Sequence, residues 1–153
     1  MTSNSDSPNL KNLLLIFTRN PELGKCKTRL AAKVGDAIAL EIYSFLLDHT
    51  HAITKEVKAA KQVLYSEEIW ENDIWENSHY HKNLQQGQDL GERMLKAFQE
   101  GFEAKYKNII IIGSDMYDLT SKDLNTAFKE LENSKFVIGP AEDGGYYLLG
   151  MST

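Results

Sequence analysis

The chain predicts a layered α/β domain with a largely parallel sheet, and three observations support that reading. Leu13-Leu-Leu-Ile-Phe17 and Ile109-Ile-Ile-Ile112 are continuous apolar runs with neither helical nor alternating periodicity. Short runs of that kind belong to strands buried on both faces of a sheet. Amphipathic helical stretches alternate with the candidate strands, the pattern that winds a parallel sheet. The Ile109–Ile112 run also ends abruptly in polar residues, Gly113, Ser114, Asp115 and Asp118, and open α/β sheets place ligands at the carboxyl ends of their strands.

In chain order, residues 1 to 11 are rich in Ser and Asn and read as a disordered leader, leaving 12 to 153 as a single domain. The Leu13–Phe17 strand gives way to a loop marked by Pro21 and Gly24. Lys25-Cys-Lys-Thr-Arg29 leads into a short helix ending near Gly35. Asp36 is the expected N-cap of the next helix, with a buried face of Ile38, Ile42, Phe45, Leu46 and Ile53. Gln62 to Tyr65 and Tyr80 to Leu84 are short strands. Between them Ile-Trp-Glu-Asn occurs at 69–72 and again at 74–77. A five-residue period fits neither helix nor strand, so the segment reads as a surface excursion whose Trp70 and Trp75 pack locally rather than bind a partner.

Asp89-Leu-Gly-Glu92 has capping-box form and opens a helix with apolar positions Leu90, Met94, Leu95, Phe98 and Phe102. The Ile109–Ile112 strand follows. Thr120-Ser-Lys-Asp123 is a similar cap for a helix through Leu124, Phe128 and Leu131. Phe136 to Ile138 is a strand stopped by Gly139-Pro140, and Gly145 to Leu149 is another.

At 153 residues the chain can bury a real core, and 42% hydrophobic with 25% charged residues is ordinary for a soluble globular protein. A net charge of −5 argues against a general nucleic-acid or membrane-surface binder, while leaving room for a local basic loop that holds phosphate. One cysteine, Cys26, excludes an intrachain disulfide and fits a reducing compartment. Neither apolar run is long enough to span a bilayer, and the leader has no signal-peptide core. The expected location is the cytoplasm.

Three loops can carry chemistry. Lys25, Lys27 and Arg29 stand beside a helix start preceded by Gly24, a natural phosphate site or, on the plainer reading, a solvated basic turn. Neither a P-loop nor a G-x-G-x-x-G motif is present. The second loop is Gly113 to Asp118, the third Pro140-Ala-Glu-Asp-Gly-Gly-Tyr146. Two acidic loops after neighbouring strands can converge on one Mg²⁺ or Mn²⁺, with phosphate oxygens and water completing its shell. The plainer reading makes Asp115 and Asp118 turn and cap residues. Gly144 and Gly145 permit close approach of a ligand. His49 and His51, two apart on a helix, do not face each other, and His79 and His81 lack a third ligand nearby.

Four stretches also resemble, in order, the radical-SAM/selenodomain-associated transferase family, whose members are described as arsenosugar-biosynthesis-type glycosyltransferases. They are Leu13 to Leu30, Gln86 to Met94, Ile112 to Thr120 and Gly139 to Leu148. The resemblance implies a Rossmann-like three-layer α/β/α sandwich of the nucleotide-diphospho-sugar transferase (GT-A) type. It also implies a divalent metal, Mg²⁺ or Mn²⁺, a nucleotide-sugar donor and a small-molecule acceptor. By position it puts Lys25, Lys27 and Arg29 on the family's basic loop, Gln86 and Gly87 with Gly144 and Gly145 at the nucleotide, and Asp115 on the metal. Asp143 becomes a second metal contact or the base for an acceptor hydroxyl, and Asp118 slips to a turn or supporting role. Met116-Tyr117 replaces the family's usual Cys-Pro. Family members continue beyond the point matching Thr153, so the domain is expected to lack C-terminal elements and to expose apolar surface that favours self-association. Two alternatives stay open: nucleotidyl transfer from a nucleoside triphosphate, since the Lys-x-Lys-Thr-Arg-Leu segment also resembles guanylyltransferases of this fold, and a non-catalytic nucleotide- or partner-binding remnant.

Overall fold

The two apolar runs pair directly. Leu13 to Phe17 match Ile109 to Gly113 residue for residue in a parallel ladder. The computed structural model describes residues 11–140 and 146–153. These form β1 (Asn12–Thr18), α1 (Thr28–Val34), α2 (Asp36–Thr54), β2 (Ala60–Tyr65), β3 (His81–Leu84), α3 (Leu90–Glu103), β4 (Asn108–Gly113), α4 (Ser121–Leu131), β5 (Phe136–Pro140) and β6 (Tyr146–Ser152).

The six strands make one sheet in the order β3-β2-β1-β4-β6-β5. β1 to β4 run parallel, and β6 is antiparallel to both of its neighbours. From β1 the chain builds outward through β2 and β3, then returns to place β4 on the other side of β1. The carboxyl ends of β1 and β4 therefore flank a topological switch point, where the loops leave a crevice.

Successive strand residues point to opposite faces. Leu14, Ile16, Ile110 and Ile112 pack against Tyr43 and Leu47 of α2 and Leu124, Phe128 and Leu131 of α4. Leu13, Leu15, Ile109 and Ile111 pack against Phe98 and Phe102 of α3 on the other face. Both faces are covered, so the strands need apolar residues at every position and the alternation disappears. The result is the expected mixed α/β sandwich. At Gly101 a Cβ would stand 2.5 Å from Ile109 Cδ1, so α3 lies so close to the sheet that any larger residue there must displace the Ile109 side chain.

Several details differ from expectation. Asp36 is the first residue of α2, and the N-cap position falls on Gly35 with no side-chain cap. The buried face of α2 is Ala39, Tyr43, Leu46, Leu47, Thr50 and Thr54, while Ile38 and Phe45 are exposed. The helix is turned so that the polar ends of Tyr43 and Thr50 reach the tip of β4. Leu90 and Leu95 of α3 are likewise exposed. β5 continues through Pro140 instead of stopping before it; as the outermost strand it can accommodate a residue with no N–H to donate.

The tryptophan-bearing excursion is anchored, as its packing reading requires. Trp75 is buried and lies edge-on to Tyr80, and Trp70 packs on the same core cluster. Beneath it Lys82 Nζ, only 5% exposed at its side chain, meets Asp73 Oδ1 at 3.0 Å and the Trp70 carbonyl at 2.6 Å. Tyr65 donates its phenol proton to the other Asp73 oxygen. Burial and that carboxylate acceptor together raise the Tyr65 pKa well above its ordinary value. Asp73 stands between the two Ile-Trp-Glu-Asn copies, so the duplication brackets the residue that fixes it.

Candidate functional site

The carboxyl ends of β1, β2 and β4 open onto a cleft of about 510 Å³. Its walls include Thr18 at the end of β1 and Arg19 after it, Ser66 after β2, Ser114 and Asp115 after β4, and Lys27 and Thr28 at the start of α1. Gln85, Gln88, Asp89, Leu90 and Arg93 close it from the α3 side.

A buried hydroxyl network ties the strand ends together. Ser114 is 3% exposed; its Oγ accepts from Thr18 Oγ1 at 3.0 Å and lies 2.9 Å from the Tyr43 hydroxyl. The same Tyr43 oxygen accepts from the Arg19 amide at 3.0 Å. Thr50 Oγ1 donates to the Ser114 carbonyl at 2.9 Å. One face of α2 thus holds both the loop after β1 and the loop after β4. Buried hydroxyls satisfied in this way fix backbone position more tightly than apolar contact alone.

On the α3 side, Gln85 donates Nε2 to the carbonyls of Leu64 at 2.9 Å and Thr18 at 3.3 Å. Its Oε1 accepts from Arg93 Nη1 at 3.0 Å, and Arg93 Nε donates to the Gly87 carbonyl at 3.0 Å. Gly87 has φ 142°, and a Cβ there would stand 2.9 Å from the Arg93 backbone nitrogen. Asp89 Oδ1 accepts from the Glu92 amide at 2.8 Å, capping α3. Glu92 reaches back to the Gln88 amide, one residue before the position a strict capping box uses.

Of the expected basic loop, only Lys27 enters the cleft. Its Nζ lies 3.3 Å from Asp115 Oδ2. Lys25 turns to Glu22 and Glu67 at 3.6 and 3.7 Å, and Arg29 is exposed and outside the cleft lining. Gln86 and Gly87 are also outside the lining, which uses Gln85 and Gln88; Gly87 instead seats Arg93. Asp115 lines the cleft as expected, and Asp118 is an exposed turn residue before the complete Thr120–Asp123 capping box. Asp143, Gly144 and Gly145 lie outside the described residues.

Arg19, Arg93 and Tyr43 line the cleft without having been singled out from the sequence. Arg19 directly follows the β1 run and Arg93 lies inside the Gln86–Met94 motif, so motif position was a usable signal for both. Tyr43 carried none. Cys26 is buried and points its thiol at the Glu22 carbonyl, 3.3 Å away. Burial pushes its pKa up, so it is not an activated thiolate. His49 Nε2 lies 2.9 Å from the Leu119 carbonyl, and His51 Nε2 lies 3.0 Å from Glu76 Oε1.

Among the described residues no group of three His, Cys, Asp or Glu side chains is placed to hold a metal ion. Among the described residues the donor set at the β4 tip is one carboxylate, 40% exposed at its side chain, which fits Mg²⁺ or Mn²⁺ where ligand phosphates and water add further oxygens. That is the usual way these hard cations are held at phosphate-transfer sites. Arg19, Lys27 and Arg93 outnumber the two carboxylates of the lining, Asp89 and Asp115, and suit an anionic, phosphate-bearing ligand.

Known proteins are similar in fold and in sequence. A solved protein from Desulfovibrio desulfuricans G20, provisionally named a nucleotide-diphospho-sugar transferase, matches with TM-score 0.84 and 31% identity over 94% of this chain and 64% of its own. A cytidylyltransferase from Leptospira borgpetersenii serovar Hardjo-bovis matches with TM-score 0.56 and 19% identity over 94% of this chain and 61% of its own. A 4-diphosphocytidyl-2C-methyl-D-erythritol synthase matches with TM-score 0.53 and 17% identity over 90% and 63%. At those identities the last two are likenesses of fold alone. The chain spans a little under two thirds of the length of all three. No curated protein sequence matches it, and no helix among the described residues is long and apolar enough to cross a membrane. The family described as an uncharacterized protein conserved in bacteria (DUF2064) matches residues 49–153, and the chain belongs to that family.

Proposed function

We propose that this chain is a metal-dependent glycosyltransferase that binds a nucleotide-diphospho-sugar in the cleft between β1 and β4. The observation that supports it is the convergence of Arg19, Lys27, Arg93 and Asp115 on one cleft at the switch point of the sheet. The three cations would neutralise diphosphate oxygens, with Arg93 already oriented by Gln85 and Gly87. Asp115 would hold the Mg²⁺ or Mn²⁺, and Asp143 is the proposed second metal contact or acceptor base. When bound, such an ion stabilises charge on the departing diphosphate. The finer likeness to arsenosugar-type glycosyltransferases rests on the four sequence motifs.

The test is thermal stability with Mn²⁺ and a panel of nucleoside diphosphates and nucleotide sugars. Wild type is expected to rise in Tm with both components present, and Asp115→Asn to lose the rise. No rise with any pair would remove the reading. Nucleotidyl transfer is the second reading, because a triphosphate also suits the three cations Arg19, Lys27 and Arg93. Release of pyrophosphate from a nucleoside triphosphate with a phosphorylated acceptor would favour it over sugar transfer.

A further inference from the structure

Lys27 and Asp115 are 88 positions apart in the chain, yet their side chains meet at 3.3 Å inside the cleft, 29% and 40% exposed. Lys27 reaches this position from a left-handed backbone, φ 46° and ψ 57°, which L residues other than Asn and Asp seldom adopt. We propose that Lys27 is a built-in counter-ion that closes Asp115 to a lone divalent cation. Phosphates of an incoming ligand draw its ammonium away and open the carboxylate, so phosphate and metal enter together.

The inference rests on the functional reading above and follows from the donor chemistry. The ammonium occupies lone pairs of Asp115 Oδ2 that a hard cation would use, and it adds a like charge a few ångströms from the ion. An ion at Asp115 takes its further oxygens from water, from Asp143 on the proposed reading, and from the ligand's phosphates. Those phosphates are also the better partner for Lys27. Arg19 and Arg93 cannot serve this purpose in the same way. Arg19 Nη1 is tied to the Lys25 carbonyl, and Arg93 is tied to Gly87 and Gln85, so both are fixed donors. Lys27 carries a compact charge on a flexible stem and can change partners. It therefore couples the two ligands, and by linkage each must favour the other equally.

The test uses the whole 153-residue chain and Mn²⁺ alone, with free Mn²⁺ followed by electron paramagnetic resonance. Lys27→Asn keeps a residue that tolerates the left-handed conformation, and Lys27→Gly removes any strain there. Both are expected to bind Mn²⁺ about five- to tenfold more tightly than wild type. Adding Asp115→Asn should abolish that gain. Without metal, both Lys27 variants should bind inorganic pyrophosphate more weakly. Equal Mn²⁺ affinity in wild type and both variants would overturn the proposal, as would a gain that survives Asp115→Asn. Failure of every nucleotide to bind with metal would sink the functional reading instead, and the Mn²⁺-only comparison would still decide the role of Lys27.

Discussion

The Tyr43 hydroxyl stands 2.9 Å from Ser114 Oγ and also accepts the Arg19 amide at 3.0 Å, so a single phenol oxygen of α2 joins the loops that follow β1 and β4. Tyr43→Phe keeps the ring in the core and removes that oxygen. It leaves a partly buried amide and a buried hydroxyl short of a partner, which costs about 1–3 kcal/mol. Urea unfolding should show this loss with an unchanged m-value. Ligand-dependent stabilisation should fall further than global stability alone explains, because Arg19 and Asp115 flank the atoms released.

Gly87 fixes Arg93 through backbone shape. Its φ is 142°, and a Cβ added there would lie only 2.9 Å from the Arg93 nitrogen, so alanine at 87 must push the start of α3 away from Gln85. Gly87→Ala should destabilise by about 1–3 kcal/mol and reduce nucleotide binding. Gly101→Ala meets Ile109 at 2.5 Å on the buried side of the same helix. It should lower Tm without selectively lowering affinity, since its clash lies in the core and not at the cleft.

Lys82 and Asp73 form a pair whose side chains are 5% and 12% exposed, and that pair is the anchor of the 66–80 excursion. Removing one partner strands the other charge in the interior. Lys82→Met or Asp73→Asn alone should therefore cost about 3–5 kcal/mol, and the double variant should recover part of it. A double-mutant cycle in guanidinium unfolding measures the coupling. Independent, additive losses would show that the excursion is held by Trp75 and Tyr80 instead.

Glu76 introduces a pH dependence at the same excursion. The hydrogen bond with His51 holds its carboxyl below the ordinary carboxylate range. A depressed folded pKa contributes stability that is present above the unfolded carboxylate pKa, near about 4.3, and is lost as pH falls through the folded value. Glu76→Gln should thus cost more stability at neutral pH than in acid. Chemical unfolding of wild type and variant across the acid range should show the two converging as pH drops.

The frame is legible in the sequence where chemistry and period agree. Ile109 to Ile112 had to be a doubly covered strand because all four positions are apolar, and its polar ending located the cleft. Thr120 and Asp123 announced a helix start because capping is local. Helix orientation was less legible. The apolar positions Ile38 and Phe45 suggested one face of α2, but burial followed Tyr43 and Thr50, whose hydroxyls have long-range partners at Ser114. Charge clustering misled for a related reason: Lys25, Lys27 and Arg29 are close in sequence, yet successive side chains around a left-handed residue and a helix start diverge. The cations that share the cleft, Arg19, Lys27 and Arg93, come from three places in the chain.

That difference gives a contrast between residues of the same charge. Arg93 donates in a fixed geometry at the cleft wall, and charge-assisted bonds to a phosphate lost with it are worth about 1.5–3 kcal/mol. Arg93→Met should weaken nucleotide diphosphate binding about ten- to a hundredfold, with only partial rescue in Arg93→Lys, since lysine keeps the charge without the planar fork. Lys25 is exposed and engaged with Glu22 and Glu67. Lys25→Met removes the same formal charge from the same end of the sheet, and should leave affinity within about twofold. Titration calorimetry on the two variants at one ionic strength separates them. Equal losses would mean that the ligand responds to the net field of the loops, whereas a loss confined to Arg93 follows from the hydrogen bonds that Gln85 and Gly87 use to aim it.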